Sequence, residues 1–460
     1  MTVVKTREGI GLVRQGATVK TMTRRTRCAG LFAICAVVLS ACSEEEPILP
    51  GKREDIRAVP ELAVSAAEDS PARAIQLPPQ QRNSTWAQPF GSEADRAAHP
   101  ALGPNPALVW SSSIGDGDGR RVRITADPVV GGGRVYTLDS GAQVTAFTPN
   151  GAVAWSVDLT PANERQGEAT GGGLSYDQET VYVSLGFGRL AALDARNGAV
   201  KWEQKLNATG SGTPTVRGDL VYLVAGDDTG WALDTQDGKI AWQVLANTSV
   251  ANVLGAPAPV LSDDLVVFAF GSGDLIAAFR RGGLQRWNAN VSGGRTGFAA
   301  SRFGDITGFP VVAGDRLFAG NASGRTVAID IGNGDRLWTA REGAVGPVWP
   351  VGGSVFAVTE QSRLVRFDAG DGSIVWTTDL PGFVRDRPRR RGAVFAHYGP
   401  VVAGGRVIVA SNDGLLRMYN PETGSLTSTV EIPGGATTGP VIADGTLYVV
   451  SSKGQLHAFR

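Results

Sequence analysis

The sequence has almost no sulfur and almost no imidazole. Its three cysteines, Cys28, Cys35 and Cys42, lie in the first 42 positions. The rest of the chain therefore holds no disulfide, thiolate metal site or cysteine nucleophile. Its three histidines, His99, His397 and His457, show no ligand spacing, which argues against a metal centre. The apolar run from Cys28 to Leu39 is too short to span a bilayer. A basic surplus is also missing: residues 42–460 carry 37 basic and 43 acidic side chains, so nucleic acid is not expected as a partner. What is present in quantity is glycine, 61 of 460 residues, which excludes a coiled coil or long helical bundle. With 42% of residues hydrophobic, disorder throughout is excluded as well.

The first 41 residues read as a signal peptide. Arg24, Arg25 and Arg27 precede the short apolar run, and Met22 is an alternative start to Met1. The run ends in Leu39-Ser40-Ala41-Cys42, which resembles a bacterial lipobox. That resemblance implies lipidation of Cys42, and Ser43 after it implies transfer to the outer membrane, leaving the chain on the periplasmic face. Residues 42–104, with Glu44-Glu45-Glu46 and scattered prolines, read as a flexible tether. Sixty such residues as a coil would span about 40–45 Å. Trp86 and Phe90 are out of place in a pure tether and are expected to dock on the folded body.

From residue 105 to 460 the chain repeats itself. Trp110, Trp155, Trp202, Trp242, Trp287, Trp338 and Trp376 follow one another at intervals of 45, 47, 40, 45, 51 and 38 residues. Most close one pattern, as in Asp194, Gly198, Trp202; Asp234, Gly238, Trp242; Asp330, Gly334, Trp338; and Asp368, Gly372, Trp376. The aspartate can accept hydrogen bonds from the following turn amides, the glycine supplies a positive φ, and the tryptophan wedges against a neighbouring unit. Upstream of each pattern lie two valine-rich strands around a Gly/Asp turn. A lone four-stranded sheet cannot bury both faces, so units with this period must stack into a propeller. Seven full units run from Ala126 to about Val430, the seventh without its tryptophan. An eighth stops after three strands, and Ala107-Leu108-Val109-Trp110 is expected to supply the fourth. The expected fold is all-β: an eight-bladed β-propeller of four-stranded antiparallel blades, its ring closed by an N-terminal strand.

The repeat resembles the tryptophan-docking motif of eight-bladed quinoprotein (PQQ-type) propellers. With the lipobox ahead of it, the chain resembles the BamB-like family of lipoprotein scaffolds. That resemblance implies a non-catalytic role in the outer-membrane β-barrel assembly (BAM) complex, a lipid anchor, and a monomeric propeller binding the POTRA-bearing subunit BamA through loops on one face. PQQ-dependent dehydrogenases share the repeat. They use a vicinal cysteine pair and a calcium site, however, and here Cys42 is the last cysteine. No catalytic residue, metal site or cofactor is expected. The alternative readings are a propeller lipoprotein that binds another envelope protein or a glycan and, last in order, a PQQ-dependent dehydrogenase.

Three loops between successive units are long. The loop after Trp242 carries Val253 and Leu254, and the loop after Trp287 carries Arg302 and Asp305. Leaving adjacent units on one face, they are expected to form an apolar patch edged by charge, the anatomy of a protein-binding site. BamB-like scaffolds use an apolar segment and an Arg-x-x-Asp stretch at these two junctions, and Arg302-Phe303-Gly304-Asp305 matches the second. Thr307 stands where the family has an acid and Leu254 where it has a base. The third loop, after Trp376, holds Arg385, Arg387, Arg389, Arg390 and Arg391 with Asp386 among them. It reads as a solvated face or as a contact for lipid phosphates or an acidic partner.

Overall fold

Alternation of side chains along short strands decides the architecture. In the computed structural model the middle strands are buried on both faces, as in Thr180–Leu185, where all six residues are buried. The outermost strand of the same sheet, Val200–Lys205, buries Trp202 among largely exposed neighbours. A sheet with this gradient must be covered on both sides by other sheets while its outer edge meets water.

The structure describes residues 73–88, 96–206, 208, 212–247, 256–291, 293, 304–385 and 387–460. Cys42, Phe90, Val253, Leu254 and Arg302 lie outside them. The described residues belong to one compact unit, 66–460, and form eight four-stranded antiparallel sheets. In chain order the blades are I (Val129–Asp158), II (Gly172–Lys205), III (Thr215–Leu245), IV (Val260–Asn290), V (Gly308–Ala340), VI (Trp349–Asp379), VII (His397–Glu431) and VIII (Val441–Phe459). Within each, strand A lines the central channel and strand D lies outermost. Blade VIII takes its strand D from Leu108–Ser113, antiparallel to Gln455–Phe459. Ser111 Oγ and His457 Nδ1 join across this seam at 2.7 Å. The eight-bladed ring and its N-terminal closing strand are as the sequence predicts.

The repeat motif does what its residue types require. Each D-strand indole crosses to the C–D turn of the next blade. There its Nε1–H donates to a backbone carbonyl: Trp155 to Ala195 at 3.0 Å, Trp202 to Thr235 at 2.9 Å, Trp287 to Ile331 at 2.8 Å. The turn glycine lies against the ring, and a Cβ on Gly238 would stand 2.5 Å from Trp202. That residue also has φ of +73°, so both sterics and backbone demand glycine. Asp194, Asp234, Asp330 and Asp368 each accept the amide two residues on at 2.7–2.9 Å, closing the turn. A β-bulge just before each tryptophan (between Ala192 and Leu193 on the partner strand of blade II) turns the indole toward its neighbour. Blade VII has Ser428 at this position. The reason is topological: blade VIII has no C–D turn for an indole to dock on, because its strand D comes from the other end of the chain.

The expected flexible tether, 42–104, needs correction where it is described. Residues 73–88 and 96–104 form a strap across the A–B and C–D turns. Arg73 pairs with Asp368 at 2.6 Å, and the buried Arg366 holds the Arg73 carbonyl at 2.6 Å. Asn83 Nδ2 donates to the Ile442 carbonyl at 2.6 Å. Trp86 exchanges two backbone hydrogen bonds with Val130, at 2.8 and 2.9 Å. Its ring stacks on Trp349, centroids 6.1 Å apart, so Trp86 docks on the body as expected. Gln88 makes a side-chain pair with the backbone of Val216. Trp349 in turn donates to Ala98 O at 3.0 Å. His99 is buried and donates from Nδ1 to Pro78 O at 2.6 Å, while its Nε2 accepts Gly405 N–H at 2.8 Å. A chain so thoroughly bonded to fixed backbone groups is part of the fold, and coil dimensions do not apply to it.

Candidate docking face and central cavity

The strap leaves the two mouths of the channel unlike each other. Trp86 closes the A–B/C–D end. The opposite end, where D–A loops and B–C turns emerge, opens into a cavity of about 890 Å³. Its lower wall is apolar, with Trp86, Phe309, Val401 and Val441, and its rim is polar, with Tyr398 and Thr437.

Carboxylates ring this cavity, and their partners explain them. Asp118 accepts from Ile124 N and Thr437 Oγ1, both at 2.8 Å. Asp127 accepts Gly439 N–H at 2.7 Å, Asp228 accepts Gly271 N–H at 3.0 Å, and Glu360 accepts Gly343 N–H at 3.0 Å. Asp127 and Asp228 each tie one blade, or the loop leading into it, to the next. Asp127 lies deep in the channel wall, still touching cavity space, and burial pushes its carboxyl up to about 6. His397 on the same wall donates from Nε2 to Pro381 O at 2.8 Å and meets Ser411 Oγ at 2.6 Å. Burial lowers its pKa, as it does that of His457. Both histidines are thus turn supports with fixed partners. Among the described residues, no group of three or more His, Cys, Asp or Glu is arranged to hold a metal ion.

On the same face, the described part of the loop between blades IV and V shows what its charge does. Asp305 is 4% exposed, and Ile306 beside it is buried. Asp305, expected on a charged rim, is thus buried and faces the cavity. Thr307 donates to Ala344 O at 2.7 Å and fastens the loop base to the next junction.

A family model described as outer membrane protein assembly factor BamB matches residues 140–378 and 387–460. The chain belongs to the BamB family. A BamB from Yersinia pestis is 24% identical over 361 residues, covering 77% of this chain and 89% of the relative. BamB of Escherichia coli K12 is 24% identical over 359 residues, with 77% and 88% covered. Among solved structures, BamB from Moraxella catarrhalis superposes with a TM-score of 0.64 at 20% identity, covering 77% of this chain and all of that one. A quinohemoprotein alcohol dehydrogenase from Comamonas testosteroni gives 0.61 at 16% identity, over 82% and 81%. At such identities the structural likeness shows the propeller fold alone. These relatives carry the name of outer membrane protein assembly factors.

The sequence-predicted residues thus divide into three groups. The seven tryptophans each reach the C–D turn of the next blade, and the four aspartates close the turns met by Trp155, Trp202, Trp287 and Trp338. Asp305 is in place but buried. Cys42, Val253, Leu254 and Arg302 lie outside the described residues. Sequence reasoning missed the second tryptophan of the strap contact. Trp349 falls outside the tryptophan period, and that irregularity was its available signal.

Proposed function

We propose that the protein is a non-catalytic scaffold of the BAM complex, lipid-anchored at Cys42 on the periplasmic side of the outer membrane. Its D–A face binds BamA through the loops that follow blades III and IV. The observation that carries this reading is the BamB family match along both halves of the propeller. Two features support the choice of face. The opposite mouth is covered by the strap, and the D–A loops are where length and chemistry vary from blade to blade. Val253 and Leu254 supply the apolar contact and Arg302 the charge, while buried Asp305 positions the second loop.

The test is crosslinking and retrieval of the lipidated protein from its native envelope, followed by mass spectrometry. BamA crosslinked at residues 247–256 or 291–304 is the expected result. Val253→Asp with Arg302→Glu should reduce retrieval at least tenfold while the melting temperature stays put. Recovery of a different envelope protein at these loops would replace the BamA assignment and leave the fold untouched.

A further inference from the structure

The loop after blade VI is not a slack connection. Val384 N–H donates to Ala393 O at 3.0 Å and Phe395 N–H to Gly382 O at 2.8 Å, with a bridge between Phe383 and Val394. A 3-10 turn at Pro388–Arg390 caps this short ribbon. Its base is stitched to blade VII by two hydrogen bonds between Ala396 and Asn412, at 2.9 and 3.0 Å. The family match is interrupted at 379–386, the first arm of the ribbon.

Its surface combines two features that a merely solvated loop does not need together. Arg385, Arg387, Arg389, Arg390 and Arg391 are all exposed. Among the described residues, no carboxylate lies within ion-pair distance of the first four. Beside them Phe383, Val384 and Val394 are 43%, 48% and 59% exposed, three large apolar side chains on one projecting element. The Arg391 guanidinium lies 4.8 Å from the centre of the Phe383 ring, so charge and apolar surface are contiguous.

We infer that this arginine ribbon is a membrane contact, binding the phosphate groups of anionic lipids with its arginines while Phe383 and Val384 enter the headgroup boundary. Guanidinium forks match phosphate geometry, and a basic element with adjoining aromatic and aliphatic side chains suits the interface of a bilayer. The inference rests on the proposed lipid anchor only for bringing a bilayer within reach. Residues 43–72, between Cys42 and the strap, can extend to at most about 100 Å.

The test uses the full chain carrying Cys42→Ser, so that no acyl group contributes, in flotation with vesicles of phosphatidylcholine alone or mixed with phosphatidylglycerol. Binding to the mixed vesicles, weakened by salt and absent from the neutral ones, is expected. Replacing Arg385, Arg387, Arg389 and Arg390 together with serine should lower the affinity roughly a hundredfold, and with lysine far less. Phe383→Ser with Val384→Ser should lower it about tenfold and leave the salt dependence unchanged. Equal binding to both vesicle types, or undiminished binding by a folded serine variant, would overturn the inference. So would a serine variant that keeps its vesicle binding but loses an acidic protein from the native envelope. BamA retrieval, read separately through Val253→Asp and Arg302→Glu, stands or falls independently.

Discussion

The two ends of this propeller are built on different principles. At the A–B/C–D end every junction from blade VIII through blade VII is fastened by an indole lying on a glycine of the next blade, and the strap crosses the mouth. At the D–A end the cavity stands open, and neighbouring blades are joined by side-chain hydrogen bonds, such as those of Asp127, Asp228 and Thr307, with no indole taking part among the described residues. The contrast teaches where variation can accumulate. A residue on the stitched end answers to its own blade, to the next blade and, over much of the ring, to the strap. A residue in a D–A loop answers to far fewer neighbours, so length, charge and apolar surface can change there without loosening the ring.

The sharpest way to break the comparison is at the seam. Deleting Gln455–Arg460 removes the partner of the closing strand, and the expected result is loss of any cooperative thermal transition by circular dichroism. Next in size is a joint. Trp202→Ala should cost about 3–5 kcal/mol in denaturant unfolding. A smaller loss, about 2–3 kcal/mol, is expected for Trp86→Ala, whose ring is partly exposed but carries the stack on Trp349. A loss close to zero would show that the strap rests on the ring without bracing it.

A pH experiment probes the open end. Burial pushes the Asp127 carboxyl from the ordinary 3.8 up to about 6. As pH falls from 7 through 6 toward 3.8 the folded state takes up this proton before the unfolded state does. This residue's contribution to stability therefore rises on acidification, by up to about 2–3 kcal/mol. Asp127→Asn should raise stability at pH 7 by about 1–2 kcal/mol and flatten the profile between pH 6 and 4. A steeper profile in the variant would mean that another group is responsible. The smallest effect belongs to the arginine ribbon: serine at its four outer arginines should shift stability by no more than about 0.5 kcal/mol.

Much of the ring was legible because it is repetitive. Spacing of tryptophans, with the Asp-to-Gly interval ahead of them, predicts blade number, strand order and even the closing strand, since each copy checks the others. The strap was only half legible. Trp86 stood out among prolines, but its partners Val130 and Trp349, and the bonds of His99 to Pro78 and Gly405, join residues far apart that share no pattern. Asp305 misled for a related reason: an isolated acid in a loop is ordinarily solvated, and its place in the cavity wall has no signal in the sequence. The ribbon announced itself as a run of arginines, whereas its paired arms and exposed Phe383 became visible only in three dimensions.

The seam has a further consequence, one of timing. Leu108 pairs with Phe459, and no stretch in between can take the place of either. Each of the first seven blades is built from one continuous stretch of chain, but blade VIII is complete only when Leu108–Ser113 meets Gln455–Phe459. Until these strands meet the ring has two free edges and the chain stays an open arc. A ring fastened in this way gains its closure from one contact between the two ends of the repeat region, and becomes a closed body in the step that makes it.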